Sequence, residues 1–311
     1  MKNSAAAAPW MTWRALDPRD SAALHELDAA CKQADGVEPV SDLPGDALAA
    51  CRHDPDNTFC AETRAKLAAV GWITLRPAVD AVQTILLGGR VHPDYRRKGF
   101  GTALLEWSLE RARAAAQPET ALHLVIKNEA LTADAHTIYL EAGFDPLFAE
   151  HMLVRSFKDP LPEVELPPHI HTADWQADTA PLFFRAYQLS FADRPGFPDP
   201  DGEDWIGEYE REESFRPDLS RVALAGDEPV GFVTCDVFGG FAWITQAGVV
   251  PAYRGQGIAY SLLVEALRRF QTEDLPEAAL HVNANNPRAS RRFHDLGFRR
   301  RLTRARYEKQ L

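Results

Sequence analysis

Apolar positions along the chain fall into two kinds of run. After Gly99 they stand at Phe100, Leu104, Leu105, Leu109 and Ala112, and after Gly257 at Ile258, Leu262, Leu263, Ala266, Leu267 and Phe270. Steps of three and four predict amphipathic helices with one buried face. Shorter runs rich in Val, Ile and Leu, bounded by glycine, proline or charge, predict strands. They cover Trp13–Leu16, Phe59–Arg64, Ala68–Leu75 and Ala121–Ile126, then Ile170–Thr172, Arg221–Ala225, Pro229–Val237 and Ala278–Asn283. Each half therefore reads as a strand, helical and loop material, a hairpin, the strand before a glycine turn, a helix, a buried strand, a helix ending at Gly-Phe and a last strand. That order predicts an α+β fold whose mixed, mostly antiparallel twisted sheets are covered by helices on both faces.

The halves are copies. An offset of 158 residues carries Pro93, Tyr95, Arg96 and Gly99 onto Pro251, Tyr253, Arg254 and Gly257, and Leu104, Leu105 and Leu109 onto Leu262, Leu263 and Leu267. Extended further, it carries Leu122-His123 onto Leu280-His281 and Asn128 onto Asn286. Val70–Thr74 matches Val230–Thr234 with two extra residues in the second copy, and Gly143-Phe144 matches Gly297-Phe298 with four extra in the first, placed around Ala130 to Ala133. So long a period indicates domain duplication and not a solenoid. Between the copies, Ser156–Pro168 carries four prolines, which disfavour helix and central strand. The expected organisation is a domain over 1–155, a linker over 156–168 and a domain over 169–311.

The glycine turns carry the candidate chemistry. Each follows Val-x-Pro (Val91-His92-Pro93; Val249-Val250-Pro251), passes an arginine and opens a helix. The first backbone N–H groups of a helix lack intrahelical partners, and the helix dipole adds positive potential there. Glycine lets an anion approach them closely. A Rossmann site would need Gly-x-Gly-x-x-Gly with an acidic residue about 20 positions on, and a P-loop would need Gly-Lys-Ser/Thr; neither is present.

Charge and cysteine usage narrow the partners. Lys and Arg number 34 against 45 Asp and Glu, a formal charge of -11, which argues against a nucleic acid partner and suits an amine. Cys31, Cys51, Cys60 and Cys235 form neither a CxxC pair nor a zinc spacing, so they read as thiols of a reducing compartment, and no metal is expected. The four-alanine run near Met1 is too short for a signal peptide, and no apolar stretch has the length of a membrane span. A cytoplasmic protein, monomer or homodimer, is expected.

Val-x-Pro-x-x-Arg-x-x-Gly-x-Gly/Ala opening a helix, with Gly-Phe near the domain end, resembles the GNAT superfamily of N-acetyltransferases over both halves. Two such domains in tandem look most like the mycothiol synthase group. The resemblance implies acetyl-CoA as donor, a small-molecule primary amine as acceptor and direct attack of that amine on the thioester. It implies that Val91 and Val249 offer backbone N–H groups to the thioester oxygen, an oxyanion-hole role. It implies a pyrophosphate held by Arg96, Arg97, Lys98, Gly99, Phe100, Gly101 and Thr102 in the first copy. In the second, Arg254, Gly255, Gln256, Gly257, Ile258, Ala259 and Tyr260 would hold it, with Asn286 on the pantetheine arm. The proton donor to the departing thiolate falls on Tyr139 in the first copy and on Phe293 in the second, where no proton is available.

Both halves are expected to bind, with turnover assigned by the resemblance to the second. For the general base the sequence offers His123 and His281, read first as structural strand residues, and Asp236. Phe191–Trp205, with five acidic residues, reads as an amine-recognising cover or as a solvated acidic loop, Glu208–Glu213 as an exposed helical face, and Arg299–Arg306 as a solvated last strand. Two alternative functions are a coenzyme A-binding pseudoenzyme with a regulatory role and a protein lysine acetyltransferase.

Overall fold

A computed structural model of the chain describes residues 11–36, 43–63, 66–194, 197 and 200–311. The initial segment ending at Pro9 and Arg64 of the hairpin lie outside them. The chain forms two compact units, one running to His151 and including Arg301–Leu311, the other Met152–Arg300. In chain order the first half contributes β1 (Met11–Arg14), α1 (Ser21–Asp35), α2 (Leu43–His53), β2 (Thr58–Thr63), β3 (Leu67–Leu75), β4 (Val82–Val91), α3 (Phe100–Ala114), β5 (Ala121–Asn128), α4 (Ala133–Glu141) and β6 (Asp145–Ser156). The second contributes β7 (Ile170–Asp174), α5 (Ala180–Phe191), α6 (Gly202–Arg211), β8 (Arg221–Ala225), β9 (Glu228–Phe238), β10 (Phe241–Val249), α7 (Ile258–Phe270), β11 (Glu277–Asn283), α8 (Pro287–Asp295) and β12 (Arg299–Gln310).

The first unit's sheet runs β1-β2-β3-β4-β5-β12, antiparallel except for the β4–β5 pair, which α3 connects. Alternate residues point to opposite faces. Ile73, Ile85, Leu87, Leu122, Leu124 and Ile126 meet Leu105 and Ala112 of α3 on one face. On the other, Cys60, Val70 and Trp72 meet Leu24, Leu27, Ala47 and Cys51 of α1 and α2. Each fully buried aliphatic side chain contributes about 1.5–3 kcal/mol over its exposed state. The second unit repeats the plan in the order β6-β11-β10-β9-β8-β7. Its α7 face is aliphatic, whereas its α5–α6 face is aromatic, with Trp175, Phe183, Tyr187, Trp205, Phe215 and Phe232 packed together.

Of the solvated strand expected over Arg299–Arg306, all but Ala305 is exposed or half-buried, but the strand then turns into the core. Residues 305–310 pair antiparallel with β5 of the first unit, and Ala305 and Tyr307, on one face, are buried in its core. Just before them, Arg304 pairs with Glu150 at 2.5 Å. Residues 157–169 form neither helix nor strand, yet they are packed. Phe157, Leu161, Val164 and Leu166 lie on the second unit's core. Ser261 donates to the Glu165 carbonyl at 3.1 Å, and buried Arg155 donates to the carbonyls of Leu296, Ser156, Asp159 and Pro160.

Strand pairing also corrects the repeat register. Ile85 and Leu87 pair with Leu124 and Ile126, while Ala242 and Ile244, in the same place against the glycine-turn helix, pair with Ala278 and Leu280. Beyond that helix the offset is therefore 154, as 124 goes to 278 and 126 to 280. The same offset takes Thr132, the N-cap of α4, to Asn286, the N-cap of α8. The four-residue difference falls between helix and strand and not at Ala130–Ala133. Asn128 thus corresponds to Val282, not Asn286, and His123 to Glu277, not His281. The sequence offset misled here because a surface connection can shorten without disturbing the pattern on either side.

Candidate functional site

Each glycine turn is a short 3-10 turn, Pro93–Tyr95 or Pro251–Tyr253, followed by a helix whose N-cap is a glycine in the left-handed region. Gly99 has φ 84° and Gly257 φ 86°, and neither helix has a side-chain cap. A Cβ on Gly257 would touch nothing within 4 Å, so backbone conformation, not space, calls for glycine. The first intrahelical bonds run from Ala103 to Gly99 and from Ser261 to Gly257. The N–H groups of Phe100, Gly101 and Thr102, and of Ile258, Ala259 and Tyr260, precede them and lack intrahelical acceptors. Gly255 also has φ 85°; its counterpart Arg97 adopts φ 56°, a conformation costing about 1–2 kcal/mol in a residue with a Cβ.

The arginines of the turns are held by carboxylates. Arg96 donates to both oxygens of Asp35 at 2.6 and 2.8 Å, and through Nε to the Val91 carbonyl at 3.2 Å. Arg254 donates to Asp193 at 2.7 and 3.1 Å, to the Ser190 carbonyl at 2.8 Å, and through Nε to the Val249 carbonyl at 3.0 Å. Their charge is met within the protein: they fasten the turn to the end of α1 or α5 and to the end of the preceding strand. Asp35 went unremarked in the sequence and Asp193 was read there only as part of the acidic segment Phe191–Trp205, although both stand 61 residues before their arginine.

Ahead of the turns the strands part. Pairing of β4 with β5 ends at Leu87–Ile126, and pairing of β10 with β11 at Ile244–Leu280, although β4 and β10 run on to Val91 and Val249. His92 N–H donates to the Ala68 carbonyl and Val250 N–H to the Val230 carbonyl, both at 2.9 Å. Hydrogen-bonded and non-hydrogen-bonded pairs alternate in an antiparallel ladder. Val91, opposite Ala69, and Val249, opposite Gly231, therefore turn their N–H groups away from β3 and β9, into the gap where the strands have separated. In the second unit β10 also carries a register shift between Ile244 and Gln246, leaving Thr245 as a bulge.

In the first unit the gap opens into a cavity of about 630 Å³. Val91, Arg96, Arg97, Gly101, Asn128 and Tyr139 all line it. The Tyr139 hydroxyl accepts a hydrogen bond from Asn128 Nδ2 at 3.0 Å, and Asn128 Oδ1 accepts from Ala130 N–H at 3.0 Å. Burial raises the phenol's pKa above its ordinary value, keeping it protonated, against a smaller opposing effect of the Asn128 bond. Tyr307 lies 5.0 Å from the Tyr139 ring and shares a hydrogen bond with His136 Nδ1. Lys98, Gly99, Phe100 and Thr102 do not line the cavity: Lys98 donates to the Asp94 carbonyl at 2.6 Å, and the Phe100 side chain is core.

In the second unit, Gln256 and Ala259 are exposed at the turn, Ile258 is core, and Tyr260 packs beside it. Asn286 is occupied as a helix cap, accepting from Ala289 N–H at 3.1 Å. Val282 and Phe293, the counterparts of Asn128 and Tyr139, belong to the apolar core. Buried Asp236 on β9 has an Oδ1 without a hydrogen-bond partner, and burial, reinforced by nearby Glu212, pushes its pKa up to about 6. His123 faces Glu308 at 3.1 Å, and His281 lies 5.1 Å from Trp243. Of the acidic loop, Asp193 is paired with Arg254, Asp201 caps α6 through Glu203 and Asp204 N–H, and Pro195, Gly196, Pro198 and Asp199 lie outside the described residues. No described helix is long and apolar enough to cross a membrane.

Residues 21–144 and 177–298 each match the acetyltransferase (GNAT) family. Among curated proteins the chain is 29% identical to a mycothiol acetyltransferase of Mycobacterium sp. (strain JLS), over 92% of this chain and 94% of that one. It is 27% identical to the mycothiol acetyltransferase of Parafrankia sp. (strain EAN1pec), over 93% and 95%. Among solved structures it resembles a GCN5-related N-acetyltransferase from Sphaerobacter thermophilus, with a TM-score of 0.65, 24% identity and coverage of 97% and 96%. A tandem GNAT protein from the clavulanic acid biosynthesis pathway follows at TM-score 0.52 and 14% identity, covering 96% and 98%.

Proposed function

We propose, from the premise that this chain belongs to the acetyltransferase (GNAT) family, that it transfers the acetyl group of acetyl-CoA to a primary amine of a small molecule. One observation carries the reading: in the first unit a parted strand edge, an uncapped helix N-terminus and a protonated phenol border one cavity. The free N–H groups after Gly99 and Gly257 are the diphosphate cradles. The Arg96–Asp35 and Arg254–Asp193 pairs set the shape of the turns rather than contact the anion. Val91 N–H faces the thioester oxygen and stabilises the charge that develops as the amine attacks. The C–S bond then breaks, Tyr139 gives its proton to the sulfur, and the surplus proton of the attacking nitrogen, passed through solvent, restores the phenol. Four free, buried cysteines accord with a cytoplasmic location.

Turnover is assigned to the first unit, against the expectation drawn from the resemblance, because Phe293 and Val282 deny the second unit a proton donor. A second reading keeps turnover in the second unit. It rests on Asp236, a buried carboxylate with a free oxygen and a pKa of about 6, suited to take the ammonium proton. Calorimetric titration with acetyl-CoA, followed by thiol-release assays over an amine panel that includes mycothiol-type acceptors, tests the function. Two binding sites and amine-dependent release are expected; no binding at high micromolar acetyl-CoA would overturn it. Loss of rate in Tyr139→Phe with little change in Asp236→Asn places turnover in the first unit, and the reverse places it in the second. Binding without transfer to any amine, or site-selective lysine acetylation in a lysate, would instead favour the two alternatives.

A further inference from the structure

We infer that Asn128 is the positioning residue of the proton donor: it holds the Tyr139 hydroxyl so that its hydrogen is directed into the cavity. The inference rests on the acetyltransferase reading of the first unit. Asn128 ends β5 and is 7% exposed. Its orientation is fixed by Ala130, whose N–H can only donate; Oδ1 must therefore face Ala130, and the NH₂ group faces Tyr139. The phenol oxygen is thus an acceptor toward Asn128, and its own hydrogen has to point elsewhere. Tyr307 packs against one side of the ring, tilted by 59°. What the hydroxyl meets on the remaining side is the cavity that Val91 also lines.

The second unit separates this duty from a turn-forming one. There Asn283 makes the same side-chain bond two residues ahead, Oδ1 accepting from Asn285 N–H at 2.8 Å, from the position after Val282. A turn at the strand end therefore does not need a polar residue at the place of Asn128. What the second unit lacks is the hydroxyl, and where Tyr139 has become Phe293, Asn128 has become Val282. Both members of the pair are polar together or apolar together. A buried NH₂ without the phenol would be left unsatisfied, which is unfavourable. The other ionisable groups around the phenol are Arg90 on β4, Tyr307 on β12 and His136, one turn earlier on α4 and bonded to Tyr307.

The test uses the full chain and steady-state kinetics with Asn128→Ala, Asn128→Asp, Tyr139→Phe and the double variant Asn128→Ala with Tyr139→Phe. Asn128→Asp keeps an acceptor for Ala130 but offers the phenol an oxygen that takes its hydrogen, so it guards against an Ala variant that fails to fold. Both Asn128 variants are expected to lower kcat about 10- to 100-fold, a share of what general acid catalysis supplies, with KM for acetyl-CoA within about twofold. The double variant should be no slower than Tyr139→Phe alone. With an acetyl aryl thioester, whose thiolate leaves without a proton, the deficits should shrink toward the unsubstituted enzyme. Equal deficits with both donors, additivity with Tyr139→Phe, or an effect confined to KM would overturn the inference. Acetyl-CoA that binds and turns over normally in Tyr139→Phe would overturn it too, whereas acetyl-CoA that never binds would overturn the function itself.

Discussion

At Gly99 and Gly257 one dihedral angle shapes the candidate site. Both sit near φ 85°, where a Cβ collides with the following carbonyl. Gly99→Val and Gly257→Val should each cost about 1–2 kcal/mol of stability. Each should also remove one acetyl-CoA site, and calorimetry would read this as a stoichiometry falling from two to one. Asp236 yields a different single-residue prediction. Its pKa of about 6 lies above the ordinary 3.8, so between those values the native state holds a proton that the unfolded chain has released. Stability then falls as pH rises from 4 to 6 and stays lower above it. Asp236→Asn should flatten that fall and stabilise the protein at pH 8 by about 1–3 kcal/mol, with little change at pH 4. Urea denaturation of both proteins at the two pH values checks it.

At the scale of elements, the unit that matters is a strand end, a turn and a helix start tied together by one ion pair. The two copies are not equally tied. The Arg96 and Asp35 side chains are 29% and 14% exposed, against 36% and 54% for Arg254 and Asp193. Solvent screens the second pair more strongly. Asp35→Ala should therefore cost about 1–3 kcal/mol, as expected for a charge-assisted bidentate pair left with an uncompensated arginine. Asp193→Ala should cost clearly less, because solvent already screens that pair. Double-mutant cycles with Arg96→Ala and Arg254→Ala, followed by chemical denaturation, would measure both couplings. An equal coupling in the two pairs would contradict the ranking.

For the whole molecule, the consequential feature is that residues 301–311 complete the first unit. Tyr307 is 1% exposed against Ile126 and Tyr139, and Leu311 exchanges backbone hydrogen bonds with Leu122 at 2.9 and 3.0 Å. Tyr307→Ala should cost about 3–5 kcal/mol, the range for emptying a large aromatic site. Deleting residues 301–311 should abolish the first unit's thermal transition and its acetyl-CoA site, while the second unit keeps a transition of its own in scanning calorimetry. Survival of both transitions would show that β12 is dispensable.

The duplication, the α+β class and the two strand–glycine–helix turns were legible in the sequence because each is a local matter. Periodicity reports which face of an element is buried, and a left-handed N-cap calls for glycine whatever surrounds it. Tertiary structure alone decided that Arg96 and Arg254 spend their charge on Asp35 and Asp193, that Arg301–Leu311 belongs to the first unit, and that Asn128 answers to Val282. Those facts rest on contacts between distant residues, 61 positions apart for Arg96 with Asp35 and 185 for His123 of β5 with Glu308 of β12, and on a connection of variable length. The order of residues along a chain encodes the first kind of fact directly, and the second only through the packing that brings distant segments together.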